Sequence, residues 1–252
     1  MKDKSTRLFY ILGSFFVANA ILAEFIGVKL FSLEKTFGFN PVDFTILGVD
    51  NLSFNLTAGV LLWPVVFIMT DIINEYYGRK GVRFLSFTAA VLILYAFIMA
   101  YFTIGLTPAD FWVHRQVNGN DVNMDLAFNA IFGQGMWIIA GSLAAFLIGQ
   151  LVDVTVFHFL KKRTGHSKMW LRSTGSTLVS QFIDSFVVLF IAFYLGAGWD
   201  LKLVLVIGVV NYIYKFTIAV VLTPLLYLVH YIIDVYLGKE VSDKLILEAT
   251  SK

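Results

Sequence analysis

The apolar stretches of this chain are long enough to cross a membrane, yet they carry ionisable side chains inside them: Glu24, Lys29, Asp71, Glu75, Asp153, Asp184 and Lys215. A charge at the centre of a membrane helix costs about 2.5–3.5 kcal/mol on insertion scales. Seven such charges facing lipid would cost on the order of 20 kcal/mol, more than the stability of a typical domain. They must face one another, water or a ligand. The sequence therefore predicts a polar site enclosed by a membrane bundle.

Composition supports that reading. Of 252 residues, 58% are hydrophobic and 14% charged, against about 25% charged in soluble domains. Cysteine is absent, which excludes disulfides, thiol chemistry and cysteine-ligated metal. The basic clusters are short and lie beside apolar spans, so nucleic acid is not an expected partner. No linker or low-complexity segment divides the chain, and residues 1–252 read as one transmembrane domain.

Hydropathy predicts an all-α integral membrane protein with six transmembrane helices, near 8–32, 53–77, 84–106, 127–158, 173–197 and 202–233. Trp63-Pro64 is expected to kink the second span. Fourteen Lys and Arg residues fall on one side of this layout, and only Lys35, Arg115 and Lys202 on the other. The positive-inside rule then places both termini in the cytoplasm, in agreement with an even number of spans. Lys2, Lys4 and Arg7 followed by an apolar run and Ala18-Asn19-Ala20 also resemble a cleavable signal peptide. The apolar character continues to Leu33, which favours a retained helix.

Within the spans, polar residues recur at helical spacing. Thr177, Gln181, Asp184 and Ser185 share one face of the fifth span, and Asp184 is expected about 18 Å from Arg172 along the helix axis. Asn211 and Lys215 share a face of the sixth span; Lys215 is either the counter-ion of Asp184 or Glu24, a substrate contact, or both. Glu24 is placed about halfway through the first span, whereas Lys29 lies near its outer end and can snorkel. Glu24, Gln181, Asp184, Asn211 and Lys215 are the candidate substrate-binding residues. Asp71, Asn74 and Glu75 share a face near the cytoplasmic end of the second span, and Gln150 and Asp153 lie near that end of the fourth. These five are candidates for gating or coupling. Gly141, Ala145 and Gly149 form a small-residue stripe suited to helix packing. Gln150-x-x-Asp153 echoes Gln181-x-x-Asp184, a weak sign of a 3+3 inverted repeat. The four histidines lack metal-ligand spacing, and neither a nucleophile-elbow nor a phosphate-loop motif is present. No cofactor or catalytic residue is expected.

Three segments together resemble one family. They are Thr70–Lys80 with its Asp-x-x-Asn-Glu-Tyr-Tyr-Gly-Arg-Lys run, Ser180–Phe186 with Gln181 and Asp184, and Asn211–Phe216 with Lys215 and a following Thr223-Pro224. These resemble the signatures of the vitamin uptake transporters, also called queuosine precursor transporters, and the six-helix layout extends the resemblance over the whole chain. The resemblance implies uptake of 7-cyano- or 7-aminomethyl-7-deazaguanine across a bacterial inner membrane. The outer loop at 107–126 is longer than the pattern requires. The implied partners are a purine-like base and the lipid bilayer; a homo-oligomer stays open. A carboxylate such as Glu24 or Asp184 can accept both N1–H and the 2-amino group of a guanine-like edge, and Phe182, Phe186, Tyr212 or Tyr214 can stack on the ring. The alternatives are a substrate-binding subunit of an ATP-driven vitamin-type uptake complex and, with less support, an intramembrane enzyme using Asp71, Asp153 and Asp184.

Overall fold

The computed structural model describes residues 3–133, 135–164 and 169–251. Lys2, Lys168 and Lys252 of the basic set, and His166, lie outside the described residues. The chain runs through α1 (Lys4–Ile26), β1 (Leu30–Ser32), α2 (Leu33–Thr36), β2 (Phe44–Ile46), β3 (Val49–Leu52), β4 (Asn55–Thr57), a 3-10 turn (Ala58–Leu61) and α3 (Trp63–Ile104). It continues with α4 (Asp110–Val113), β5 (His114–Val117), β6 (Asn120–Asn123), α5 (Met124–Phe132), α6 (Met136–Thr164) and α7 (Met169–Leu189). A π-helical extension (Phe190–Leu195), α8 (Leu201–Val221), α9 (Thr223–Leu237) and α10 (Lys239–Ser251) complete it.

Five helical stretches are long and apolar enough to cross a membrane, with α5 and α6 counted together and α3 counted once. The second of the expected spans is shorter than 53–77, because residues 55–61 form a strand and a 3-10 turn before the helix starts at Trp63. Pro64 does not kink this helix. It sits in the first turn, where its missing N–H has no intrahelical acceptor to lose. Pro224 plays the same part at the start of α9, so the stretch expected at 202–233 is two helices broken at Leu222. The first helix ends at Ile26 rather than near residue 32, which puts Glu24 in its last turn and Lys29 beyond it.

Helix α3 is not a 42-residue rod. Gly78 has φ 69° and ψ −172°, a left-handed conformation that L side chains disfavour. Thr70 and Ser86 flank it, and both hydroxyls donate to Gln150 Oε1, at 3.1 and 3.2 Å. Those distances cap the separation of the two hydroxyls at about 6 Å, whereas sixteen residues of straight helix would span about 24 Å. The chain therefore reverses at Gly78, and arms 63–77 and 79–104 lie side by side. Val66, Met69 and Ile73 of one arm share a core with Val82, Leu85, Ala89 and Ile93 of the other, with Phe16 and Ala20 of α1, and with Phe146 and Val154 of α6.

Several ends converge where α3 turns. Tyr77 donates to the Ser5 carbonyl at 2.8 Å, and Lys4 Nζ to the Tyr236 carbonyl at 3.0 Å. Lys161, near the end of α6, and Arg172, near the start of α7, both reach Glu75. Helix α10, which the sequence reading did not foresee, packs here with Leu8, Ile72 and Tyr76 through Ile246. Tyr76 donates to Asp234 Oδ1 at 2.7 Å, and Ser242 donates to the same oxygen. The basic residues 79–83 and 161–163 thus gather at one end with the start of α1 and the end of α9. The β-hairpins β2–β3 and β5–β6 and the pair β1–β4 belong to the connections 27–62 and 105–123, which leave the far ends of α1 and α3.

A Cβ at position 78 would sit 3.1 Å from the Ala249 carbonyl oxygen. Gly78→Ala should therefore cost about 1–3 kcal/mol through backbone strain and this contact. The expected result is a lower midpoint of thermal unfolding in detergent, and an unchanged midpoint would contradict the tight reversal.

Candidate functional site

The polar interior is ordered by depth along α7, starting from the end where α3 turns. The outermost layer is an ion cluster. Glu75 Oε1 accepts from Arg172 Nη2 at 2.8 Å, and Glu75 Oε2 lies 3.3 Å from Lys161 Nζ, which also donates to the Glu75 carbonyl at 3.0 Å. All three side chains are at most 3% exposed. A carboxylate shared by two cations ties α3, α6 and α7 into one unit. Breaking such a buried pair costs about 3–5 kcal/mol, because the remaining charges are left uncompensated.

One turn deeper come two acids held by hydroxyls. Asp71 Oδ2 accepts from Ser173, with the Thr177 hydroxyl at 3.5 Å. Asp153 Oδ1 accepts from Ser180 at 3.2 Å, and the Ser176 hydroxyl donates to the Ser173 carbonyl at 3.0 Å. Serines and threonines at 173, 177 and 180 therefore place one face of α7 against α3 and another against α6. Gln150 binds Thr70 and Ser86 through Oε1. Asn74 is buried, and neither its Oδ1 nor its Nδ2 has a hydrogen-bond partner.

Deeper still, Asp184 forms an ion pair with Lys215 of α8. The pair is partly exposed, at 20% and 14%. Glu24 accepts from Ser142 of α6 and lies within electrostatic reach of Asp184. Glu24 is thus buried although it stands in the last turn of its helix, and the small-residue stripe of α6 lies against α7. At Gly141 an added Cβ would lie 3.1 Å from the Val188 carbonyl oxygen of α7, and at Gly149 it would lie 3.6 Å from Asp184 Cβ.

A cavity opens between the first arm of α3, α7, α8 and the start of α9. Protein atoms leave about 540 Å³ free there, its mouth included. Trp63, Pro64 and Phe67 form an apolar wall, and Asp71, Thr177, Gln181 and Lys215 a polar one. Two atoms of the polar wall, Asp71 Oδ1 and Gln181 Nε2, are buried without a hydrogen-bond partner. A buried polar atom left unpaired costs about 1–3 kcal/mol, so these two atoms mark the polar side of the cavity as the costlier one to keep dry.

Gln181 and Lys215 thus meet on one cavity, and Asp184 reaches it through Lys215. Asp71, grouped by sequence with the gating residues, lines the same cavity. Glu24 and Asn211 are not among its lining residues; Asn211 is half-buried one turn from Lys215. The aromatics suggested for stacking lie elsewhere. Phe182 is 49% exposed and packs edge-on against Tyr212 at 5.2 Å, while Phe186 fills the space beside Gly208. Trp63 and Phe67 line the cavity instead. The sequence signal for them was available, since Pro64 in a first helical turn fixes Trp63 at a helix start, and Phe67 and Asp71 are four residues apart.

Comparison with known proteins identifies the family. Residues 57–229 match the family described as "Putative vitamin uptake transporter". The chain is 31% identical over 233 residues to the "Probable queuosine precursor transporter" of Bacillus subtilis, an alignment covering 85% of this chain and 93% of that protein. It is 29% identical over 186 residues to the protein of the same name from Haemophilus influenzae, covering 71% and 70%. It is 28% identical over 181 residues to the "Queuosine precursor transporter" of Escherichia coli, covering 69% and 72%. No solved structure matches. With more than half its length matched by the family model, the chain belongs to the vitamin uptake transporter family and is a multi-pass membrane transporter rather than an enzyme.

Proposed function

We propose that this protein imports a queuosine precursor, a 7-cyano- or 7-aminomethyl-7-deazaguanine base, across a bacterial inner membrane by alternating access around the cavity of Asp71, Gln181 and Lys215. The observation that carries the reading is the cavity itself, which brings Asp71, Gln181 and Lys215 together with Trp63 and Phe67 among its lining residues. A guanine-like edge presents N1–H and an amino group as adjacent donors, which a carboxylate accepts. Asp71 supplies the acceptor, Gln181 Nε2 donates to a ring acceptor, and the base stacks on Trp63. Lys215, released in part from Asp184, offers a second donor. For the aminomethyl form, the cation of the ligand takes Lys215's place beside Asp184. The relatives' names support the substrate class.

In this reading the reversal at Gly78 turns one long helical stretch into two crossings, giving six in total. The basic end, where the start of α1 and the end of α9 gather, faces the cytoplasm under the positive-inside rule. The Glu75–Lys161–Arg172 cluster then closes the cytoplasmic side of the cavity. Three crossings fall in each half of the chain, which fits an inverted repeat, although the partners of Gln150 and Asp153 differ from those of Gln181 and Asp184.

The substrate reading is tested by uptake of labelled 7-cyano-7-deazaguanine into cells lacking their own route. Gln181→Ala and Asp184→Asn should each lower uptake at least about ten-fold, the loss expected when a 1.4 kcal/mol contact is removed. Normal uptake by both variants would place the site elsewhere. Purified protein should also exchange base across liposomes without an ATP-hydrolysing partner, whereas strict dependence on one would favour the subunit alternative.

The gate generates a separate expectation. Glu75→Gln leaves Lys161 and Arg172 without their shared carboxylate. The unfolding midpoint in detergent should fall markedly, by the equivalent of about 3–5 kcal/mol. A change below about 0.5 kcal/mol would show that the cluster neither locks nor supports this end of the bundle.

A further inference from the structure

Base import leaves one group of cations at the basic end of the bundle without a role. They lie where the second arm of α3 begins and α6 ends. The two helices run antiparallel there. Ser86 bonds Gln150, and one turn nearer the basic end Val82 and Val154 share the core. The same register, continued to the end, brings Arg79 opposite His158. Arg79, Lys161 and Lys162 are all within electrostatic reach of His158, which is buried at 5% exposure.

Positive charge at this junction exceeds what the protein neutralises. Glu75 is shared by Lys161 and Arg172. Arg79 is half-buried and forms no ion pair among the described residues. Its Nε is buried without a hydrogen-bond partner. Asp153 of α6 is bonded by Ser180, deeper in the bundle. The acids of α10, Glu240, Asp243 and Glu248, are exposed, and none is an ion-pair partner of Arg79. The preference for basic residues at one membrane face explains exposed Lys162 and Arg163. It does not explain a half-buried guanidinium with a sealed, unpaired nitrogen, which is costly unless an anion meets it.

The outer surface of α6 indicates which anion. Leu151, Thr155, Phe159 and Arg163 recur every four residues and are all exposed, so they form one outward column. The Thr155 hydroxyl donates to the Leu151 carbonyl at 2.6 Å and is satisfied within the helix. The column therefore stays apolar up to the Arg163 guanidinium, which stands 4.2 Å from the centre of the Phe159 ring. Lys162 adjoins it, one turn beyond His158. An apolar strip that ends in a cluster of cations fits a lipid with a negative headgroup. Inorganic phosphate would meet the same cations and gain nothing from the strip.

We propose that the junction of Arg79, His158 and Lys162 binds the phosphodiester of an anionic phospholipid, with an acyl chain along Phe159 and Leu151. Arg79 offers planar N–H donors to the phosphate oxygens, and Lys162 and Arg163 close the site from the water side. The lipid supplies the countercharge that the protein lacks at this end. Nothing in this site depends on the import reading.

The test uses the purified full-length protein in a neutral detergent, with phosphatidylglycerol as the probe. Phosphatidylcholine with the same acyl chains and inorganic phosphate are the comparisons. Phosphatidylglycerol should raise the unfolding midpoint by about 4 °C, as a ligand that binds only the folded state does, and the other two should not. Native mass spectrometry should show one tightly retained phosphatidylglycerol. Arg79→Gln should weaken its binding about ten-fold, whereas Lys239→Gln, which removes an exposed cation of α10, should leave it unchanged. Equal stabilisation by phosphatidylcholine overturns the proposal, and a shift reproduced by inorganic phosphate overturns the lipid in favour of a free anion. Full affinity in Arg79→Gln, or an equal loss in Lys239→Gln, overturns the site. If Arg79→Gln does not fold, Lys162→Gln at its exposed position carries the test, with a loss of about three-fold expected and unchanged binding overturning the site. Uptake is not measured, so failure of the import reading leaves every one of these outcomes intact.

Discussion

Glu75 is the charge on which the arrangement of this bundle depends. In lipid there is no water to solvate a stray ion, so a buried charge must find its partner within the protein. Glu75 meets Lys161 and Arg172 from two other helices, and that contact fixes the relative depth of α3, α6 and α7. With those depths set, the hydroxyls of Ser173, Thr177 and Ser180 fall opposite Asp71 and Asp153. One turn further along α7, Gln181 and Asp184 reach the level of Lys215. The rest of the polar interior follows from that register.

The reversal at Gly78 does comparable work for the backbone. It lets Thr70 and Ser86, far apart in sequence, bond one amide oxygen of Gln150. It also leaves a surface on which α10 closes, with Ala249 against the glycine. The arm before the turn carries Trp63, Phe67 and Asp71 on the cavity side, while the arm after it fills the core with Leu85, Ala89 and Ile93. The first arm thus lines the cavity with one face and packs Val66, Met69 and Ile73 into the core with another.

Much of this was legible in the sequence because insertion cost is a strong filter. Six of the seven ionisable residues in apolar stretches stand in helices inside the bundle, with Lys29 exposed past the end of α1, and the helical spacing of Thr177, Gln181 and Asp184 placed them on one face. The spacing of Gly141, Ala145 and Gly149 announced close packing, which the contacts with Val188 and Asp184 display. What remained hidden depended on three-dimensional proximity. Periodicity assigned Asp71 to one end of its helix and not to the cavity it shares with Lys215. Helix α10 was overlooked because Lys239–Ser251 is polar enough to read as a tail, although Val241, Leu245, Ile246 and Ala249 follow helical spacing. The Asn118-Gly119 turn between β5 and β6, with φ of 50° and 81°, is a hairpin signal that was present and unused.

The central claim is that a deazaguanine base occupies the space between Trp63 and Gln181, with Asp71 at its donor edge. An electron cryomicroscopy map of the protein with 7-cyano-7-deazaguanine bound tests it directly. The account predicts planar density against Trp63, within hydrogen-bonding distance of Asp71 and Gln181. Ligand density at another site, with this cavity still empty, would contradict it.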